Sequence, residues 1–198
     1  MKKKCFLYIN NFIKKYNLHA FREVAIFAII TIIIHFSWRF WAYQLHYAPI
    51  HDIIYKAFDY MSKQVFLESS WFVSHVLNIN ITIVKQTMYF PNIGYIEINA
   101  GCSGLKQFTQ FALLMILYPG PWKKKLWFIP LGVFIVHLTN LFRVIGLSVV
   151  IINWAEYWKF SHDYLFRPFF YVVIFSMWVI WVENFSKKKT EKNKDSKY

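Results

Sequence analysis

Four long apolar stretches alternate with polar segments along this chain of 198 residues. They cover residues 24–43, 102–118, 126–153 and 164–185. Each has about 17 residues or more, close to the length that a helix needs to cross the hydrocarbon core of a bilayer. The stretch 102–118 is the weakest, because it begins with small residues and contains a lysine and two glutamines. The pattern predicts an all-α polytopic membrane protein with about four transmembrane helices.

The segment between the first two stretches, residues 44–101, carries shorter helical patterns. Apolar residues recur at helical spacing over 50–61, which predicts an extracytoplasmic amphipathic helix that lies on the membrane surface. Residues 65–77 are expected to form a second outer helix. Because Glu68, His75 and several Ser and Asn residues interrupt this region, we do not expect it to cross the bilayer.

A short β-hairpin is predicted further along the same segment. Its two strands are expected over 81–90 and 93–99, on either side of a turn at Pro91 and Asn92. In the second strand apolar and polar residues alternate, as they do in a strand with one buried face. The alternating residues are Ile96, Glu97, Ile98 and Asn99.

Composition favours a membrane protein over an ordinary soluble domain. Hydrophobic residues make up 57% of the chain and charged residues only 17%, whereas a soluble domain usually has about 45–50% and 25%. Two cysteines are too few for a disulfide framework. We therefore treat residues 1–185 as a single membrane-embedded domain and residues 186–198 as a basic cytoplasmic tail.

The net charge of +13 reflects membrane topology. Lysines and arginines cluster before the first apolar stretch, between the second and the third, and after the fourth. With four spans these clusters face the same side, and the positive-inside rule makes that side cytoplasmic. Both termini are then cytoplasmic. A nucleic-acid partner is not expected, because the basic residues of such proteins concentrate on one soluble surface.

Cys102 is the first candidate for chemistry. It follows the second predicted strand and begins a predicted span, between Gly101 and Gly104. The start of a helix carries a partial positive charge that favours a thiolate, and the glycines allow a tight turn and the close approach of a substrate backbone. The structural alternative, a small buried cysteine on a helix, is the commoner case.

Counting residues from the cytoplasmic ends of the spans places three reactive side chains near the outer mouth of the bundle. At 1.5 Å per residue, Cys102 and Arg143 both lie about 25 Å above the cytoplasmic boundary, and His162 opens the fourth span about 31 Å above it. An arginine inside an apolar run is costly and by default marks function. The structural alternatives are an arginine that extends to the outer head groups and a histidine that merely begins a helix.

Cysteine, arginine and histidine together suit acyl transfer at the outer membrane face. A thiolate is a nucleophile, and an imidazole serves as general acid and base near neutral pH. A guanidinium stays charged and stabilises a thiolate or an oxyanion. We expect no metal site, since the histidines show no paired spacing. The other cysteine, Cys5, is expected to be an ordinary cytoplasmic thiol.

At these positions the sequence resembles the exosortase/archaeosortase family of membrane-embedded transpeptidases. The matching pieces are AGCSGL at 100–105, NLFRV at 140–144, and His162, which occur in the family's order on successive spans. The resemblance covers about residues 80–185, and the combination is more specific than any one piece. Arg167 is a rival for the role of His162, because some family members use arginine there, but His162 matches better.

The resemblance implies a reaction and a set of residues. Family members process exported proteins that end in a sorting tail: a short motif, a transmembrane helix and a basic cluster. Cys102 would be the nucleophile, Arg143 the stabiliser of the thiolate or oxyanion, and His162 the general acid and base. The supporting residues would be Asn140, which is placed one helical turn before Arg143, and Ser103, Gly104 and Asp163.

The resemblance also implies partners and a location. A lipid or polysaccharide on the cell surface would accept the cleaved protein, and no cofactor is expected. The location would be the bacterial cytoplasmic (inner) membrane, with the active site on its extracytoplasmic face.

Two other functions remain open on the sequence alone. The first is a non-catalytic assembly protein that uses the same fold to bind a sorting tail or an export partner. The second is a small transporter or channel with His137, Asn140 and Arg143 along a polar path. The absence of an inverted repeat in the sequence disfavours the transporter.

Overall fold

The computed structural model describes residues 18–44 and 50–186, and these residues are mostly helical. The described residues fall into two compact units, one with residues 18–44 and one with residues 50–186. The predictions for Cys5, for the basic N-terminal segment and for the basic tail beyond Ser186 lie outside the described residues.

The first unit contains helix α1, Leu18–Gln44. Its apolar part covers Val24–Phe40, which includes the first predicted span apart from its last three residues. Large apolar side chains on this helix are more than half exposed, among them Ile29, Ile33 and Phe36. Water does not favour such a surface, and a lipid environment does.

The second unit begins with helix α2, Ile50–Trp71, which continues into a π-helical turn, Phe72–Val76. The prediction of two separate outer helices is therefore wrong. No proline or glycine lies between residues 50 and 76, so nothing ends the first helix. The polar residues that interrupt the pattern are accommodated: Ser69 and Ser70 are buried and donate to the carbonyls of Phe66 and Leu67.

Three short antiparallel strands follow, where the sequence predicted two. They are β1 (Thr82–Val84), β2 (Thr87–Phe90) and β3 (Gly94–Glu97), in that order in the sheet. The first predicted strand is divided at Lys85, which has φ +54°, and the chain reverses there. The predicted turn at Pro91 and Asn92 is present, with Asn92 at φ +59°.

The inner face of this sheet packs into a core at one end of the helices. Met88, Phe90, Ile96 and Ile98 are buried there, and exposed Glu97 alternates with them as predicted. Cys102 packs against this core, to which the helical segments contribute Val65, Phe66, Val73, Val144, Leu147 and Phe166. The last strand of this sheet therefore leads along the chain to Cys102.

Helices α3 (Leu105–Leu117) and α4 (Trp122–Asn153) run antiparallel. Asn140 bonds to the chain just before α3, and Lys125 bonds to the chain at its end. Helix α3 begins three residues later than the predicted span, because Gly104 adopts φ +77° and interrupts the helical path. Its 13 residues extend about 20 Å.

The last helical segment begins well before the predicted fourth span. It contains a 3-10 turn Ala155–Tyr157, helix α5 (Trp158–Phe160), a π-helical turn Ser161–Phe166, helix α6 (Arg167–Trp181) and a final π-helical turn Val182–Ser186. His162 therefore lies inside a helical segment and does not open it. The π-helical turn places Pro168, which cannot donate a backbone hydrogen bond, in the first turn of α6.

Two helical segments are long and apolar enough to cross a membrane in the described part of the chain. They cover Trp122–Asn153 and Ala155–Phe185 and contain the third and fourth predicted spans. The apolar parts of α1 and α3, Val24–Phe40 and Leu105–Leu117, are shorter than that length. The structure thus supports two of the four predicted spans by length and composition.

Candidate active site

Cys102 lies at the end of a 3-10 turn, Ala100–Cys102, between β3 and α3. Its backbone N–H donates to the carbonyl of Asn99 at 2.8 Å, and the Asn99 side chain accepts from the N–H of Gly101 at 3.0 Å. The Oγ of buried Ser103 accepts from the N–H of Leu105 at 3.2 Å. Local bonds thus hold the cysteine just before the helix, and not in its first turn as the sequence predicted.

Asn140 on α4 bonds to the backbone of this turn. Its Nδ2 donates to the carbonyl of Cys102 at 2.7 Å, and its side chain is fully buried. Gly104 makes room for the contact, since a Cβ at Gly104 would lie 3.1 Å from Nδ2 of Asn140. Two features therefore favour glycine at position 104: its positive φ and this close approach.

Arg143, one turn further along α4, is the cation beside the thiol. Its Nη2 lies 3.8 Å from the Sγ of Cys102 and 3.5 Å from the Nε2 of His162. Its side chain is 8% exposed, and its buried Nε has no partner in the described residues. Its guanidinium carbon is 6.0 Å from the ring centroid of Phe170. A buried guanidinium with an unfilled donor has capacity for a further acceptor.

His162 is oriented from two sides. Its Nδ1 lies 2.8 Å from the Oδ1 of Asp163, and the ring of Trp158 stacks on the imidazole with centroids 5.1 Å apart and an interplanar angle of 9°. A carboxylate only accepts, so Nδ1 carries the proton and Nε2 faces Arg143 as an acceptor in the neutral ring. Asp163 also forms an ion pair with Arg167 Nη1 at 3.1 Å.

The structure brings the three predicted reactive residues together, and one supporting residue has a different partner from the one expected. Asn140 was predicted to support Arg143, but its Nδ2 holds the carbonyl of Cys102 instead. Arg167 was the rival cation, and it pairs with Asp163 on the far side of the imidazole from Arg143.

Sequence reasoning assigned no role in the site to Trp158, which stacks on the imidazole of His162. One signal was available: Trp158 stands four residues before His162, the spacing at which side chains on a helix meet.

The arrangement is a continuous polar chain that ends at a nucleophile. From Cys102 it passes to Arg143, His162, Asp163 and Arg167, with each contact at 3.8 Å or less. The guanidinium can stabilise negative charge on sulfur or on an oxygen attacked by it, and the oriented imidazole can exchange a proton. Among residues 18–44 and 50–186, no group of three or more His, Cys, Asp or Glu side chains could hold a metal ion.

The fold and the site define a class of protein. It is a membrane-embedded helical protein that carries a thiol, a guanidinium and an imidazole at one end of its helices. The family model for the transmembrane exosortase matches residues 24–182. The chain therefore belongs to the transmembrane exosortase family, a family of membrane cysteine transpeptidases that act on exported proteins with sorting signals. No curated protein and no solved structure matches the chain.

Proposed function

We propose that this chain is a membrane-embedded cysteine transpeptidase that removes the C-terminal sorting tail of exported proteins. The tail is a short motif, a transmembrane helix and a basic cluster. The enzyme forms a thioacyl intermediate on Cys102 and transfers the exported protein to a lipid or polysaccharide acceptor on the surface. Water in place of that acceptor makes the same enzyme a protease.

The observation that carries the proposal is the contact between Arg143 and Cys102. An arginine within an apolar helix is expensive to bury, and this one directs Nη2 to a sulfur at 3.8 Å. A guanidinium that only supported the fold would be expected to direct its donors to backbone carbonyls or carboxylates. Arg143 instead faces the group that reacts best as an anion.

The first half of the reaction forms the thioester. The thiol proton of Cys102 passes to the imidazole of His162, and the sulfur attacks the carbonyl carbon of the scissile peptide bond. Arg143 stabilises the oxyanion that forms. The carbon–nitrogen bond then breaks, and the leaving amine of the tail takes the proton from His162. The Asp163 carboxylate stabilises the imidazolium while it carries this proton.

The second half resolves the thioester. The hydroxyl or amine of the acceptor gives its proton to His162 and attacks the same carbonyl carbon. The carbon–sulfur bond breaks, Cys102 leaves as the thiolate beside Arg143, and the imidazolium of His162 returns its proton to the sulfur, which restores the thiol and the neutral imidazole. Asn140 holds the carbonyl of Cys102, so the sulfur returns to the same position for the next turnover.

The site lies at the extracytoplasmic end of the helices in this proposal. Lys125 and Arg143 are 18 residues apart on α4, which corresponds to about 27 Å. Lys123 and Lys124 mark the cytoplasmic end by the positive-inside rule, so Arg143 is at the outer end. The apolar parts of α1 and α3 then complete a four-span protein of the bacterial inner membrane, with both termini in the cytoplasm.

The test compares the C-termini of exported proteins from cells that carry the wild type, Cys102→Ala or Cys5→Ala. Mass spectrometry is restricted to proteins whose sequences end in a short motif, a transmembrane helix and a basic cluster. We expect tails to persist in Cys102→Ala cells and to be absent from wild-type and Cys5→Ala cells. Identical tails in all three strains would contradict the transpeptidase proposal. A non-catalytic binding role would then be the better-supported function.

A further inference from the structure

The last strand of the small sheet, β3, leads along the chain to Cys102, the proposed nucleophile. Strand β3 pairs with β2 on one side, and no other strand pairs with it in the described residues. Its residue Tyr95 is 61% exposed and Glu97 is exposed as well. The chain then continues through Asn99 into the turn that ends at Cys102, five residues after Glu97.

The register shows which backbone groups this edge offers. Ile98 donates to the carbonyl of Gln86 at 2.9 Å, and pairing continues with Glu97 opposite Thr87, Ile96 opposite Met88 and Tyr95 opposite Tyr89. In an antiparallel ladder, residues alternate between those bonded to the partner strand and those that direct N–H and C=O away from it. Tyr95 and Glu97 therefore direct their N–H and C=O groups to the free edge.

An edge of this kind binds extended peptides by adding a strand. Main-chain bonds provide affinity that depends little on side chains. The face beside this edge also carries the ring pair of Tyr89 and Tyr95, with centroids 5.6 Å apart, a broad exposed contact surface of low conformational entropy. Because β3 continues into the Cys102 turn, a strand added here is directed towards Cys102.

We infer that the exported substrate docks on the edge of β3 as a fourth strand, through the extended segment that precedes the bond to be cleaved. This inference rests on the proposed function. The substrate segment reaches Cys102 with its C-terminal end, and β3 also reaches it with its C-terminal end, so the two strands run parallel. The docked backbone specifies the position of the scissile bond, and the tail helix enters the membrane beyond it.

The chain offers a matched pair of variants to test this edge. Tyr95→Pro removes an outward N–H from β3, and Ile83→Pro removes one from β1, the opposite edge. Thr82 and Val84 oppose Tyr89 and Thr87 on β2, whose N–H and C=O groups do not point to β3, so Ile83 between them faces outward. Ile83 is 52% exposed, close to the value for Tyr95. Proline is tolerated at such edge positions.

The variants are compared in proteoliposomes, with a tail-bearing exported protein whose processing in cells depends on Cys102. We expect Tyr95→Pro to raise KM about three- to tenfold, the value of one hydrogen bond, with kcat little changed. Ile83→Pro is expected to leave both constants unchanged, and Tyr95→Ala, which keeps the N–H, to raise KM less than Tyr95→Pro. Alkylation of Cys102 by iodoacetamide should proceed at the wild-type rate in all three.

Two results would overturn the strand-pairing inference while the proposed function stands. One is cleavage that depends on Cys102 but has the same KM in Tyr95→Pro and Ile83→Pro. The other is an equal loss in Tyr95→Ala and Tyr95→Pro, which would assign recognition to the tyrosine side chain.

A second readout does not require cleavage. The photo-crosslinking residue p-benzoylphenylalanine at position 95, in a Cys102→Ala background, should capture tail-bearing precursors, and the same residue at position 83 should not. Capture at neither position, or equally at both, counts against the edge of β3. If tails are processed normally without Cys102, the proposed function fails on its own evidence, and the crosslinks alone decide whether this edge binds exported proteins.

Discussion

Helix α4 carries two buried cations, and they differ in how completely their donors are satisfied. Lys125, 3% exposed, donates to the carbonyls of Ile116 and Tyr118 at 2.9 and 2.6 Å and lies 4.6 Å from the ring centroid of Trp122. Arg143, 8% exposed, meets a thiol and an imidazole and leaves Nε unpartnered in the described residues.

The difference distinguishes a structural site from the proposed active site. The C-terminal carbonyls of a helix lack intrahelical partners, and Lys125 satisfies two of them at the end of α3. Around it the aromatic rings of Phe128, Trp181 and Phe185 pack together. Arg143 instead lies between a thiol and an imidazole, groups that exchange protons and charge. We therefore expect one end of the helices to serve packing and the other to serve the proposed reaction.

The largest expected effect is on Arg143. Arg143→Leu should lower kcat/KM for a tail-bearing substrate by about 10²–10³-fold, the range found when one oxyanion donor is lost. The free energy of unfolding should stay the same or rise, because a buried charge with incomplete partners is removed. Activity and thermal unfolding of the purified variant check both parts. Arg143→Lys keeps the charge but loses the planar fork, and should recover only part of the activity.

An intermediate effect is expected at the carboxylate that holds the imidazole. Asp163→Asn keeps an oxygen that can accept from Nδ1 of His162 but removes the negative charge that stabilises the imidazolium, and we expect kcat to fall roughly 10–100-fold. Steady-state kinetics on the same substrate provide the measurement.

Arg167→Gln is the matched control for Asp163. Its side chain is 61% exposed and pairs with the outer side of Asp163, so the loss should be no more than about fivefold. A larger fall in Arg167→Gln than in Asp163→Asn would contradict this order and restore Arg167 as the cation of the site.

The smallest effect on activity, and the clearest on stability, is expected at Lys125. Lys125→Met leaves two carbonyls at the end of α3 without their donor and should cost about 1–3 kcal/mol in the free energy of unfolding. Activity per folded molecule should remain within about twofold of the wild type, because the site is roughly 27 Å away. Lys124→Met, on a neighbouring exposed lysine, is the control and should change the stability less. A variant at Lys125 that folds normally but has lost activity would invalidate the division between the two ends.

Hydropathy and residue type predict several features of the fold correctly. The apolar runs predict where α4 and the last helical segment lie, and alternation predicts the buried positions of Ile96 and Ile98. Boundaries are harder to predict. The start of α3 depends on the φ of Gly104, and the start of the last segment depends on a π-helical turn that accommodates Pro168. Neither is visible in the hydrophobic period, which averages over several residues.

The candidate site was likewise predictable only in part. The sequence, through its motifs, predicts Cys102, Arg143 and His162 as the reactive set, and counting residues places them at one depth. It does not predict that Asn140 holds the carbonyl of Cys102, that Trp158 stacks on His162, or that Lys125 caps α3. These contacts depend on how each helix is rotated about its axis and where the turns direct the chain.

By itself, then, the sequence determined that this is a helical membrane protein, because solubility in lipid follows from composition. It also determined which residues are candidates for the reaction, because side-chain reactivity follows from residue type and local order. The tertiary structure decided which of those residues touch: Arg143 lies between the thiol and the imidazole, Asp163 lies behind the imidazole, and the edge of β3 leads to the sulfur. The contacts of Arg143 join residues 19 and 41 positions apart along the chain, and only the packing of separate helices and a sheet brings such residues together.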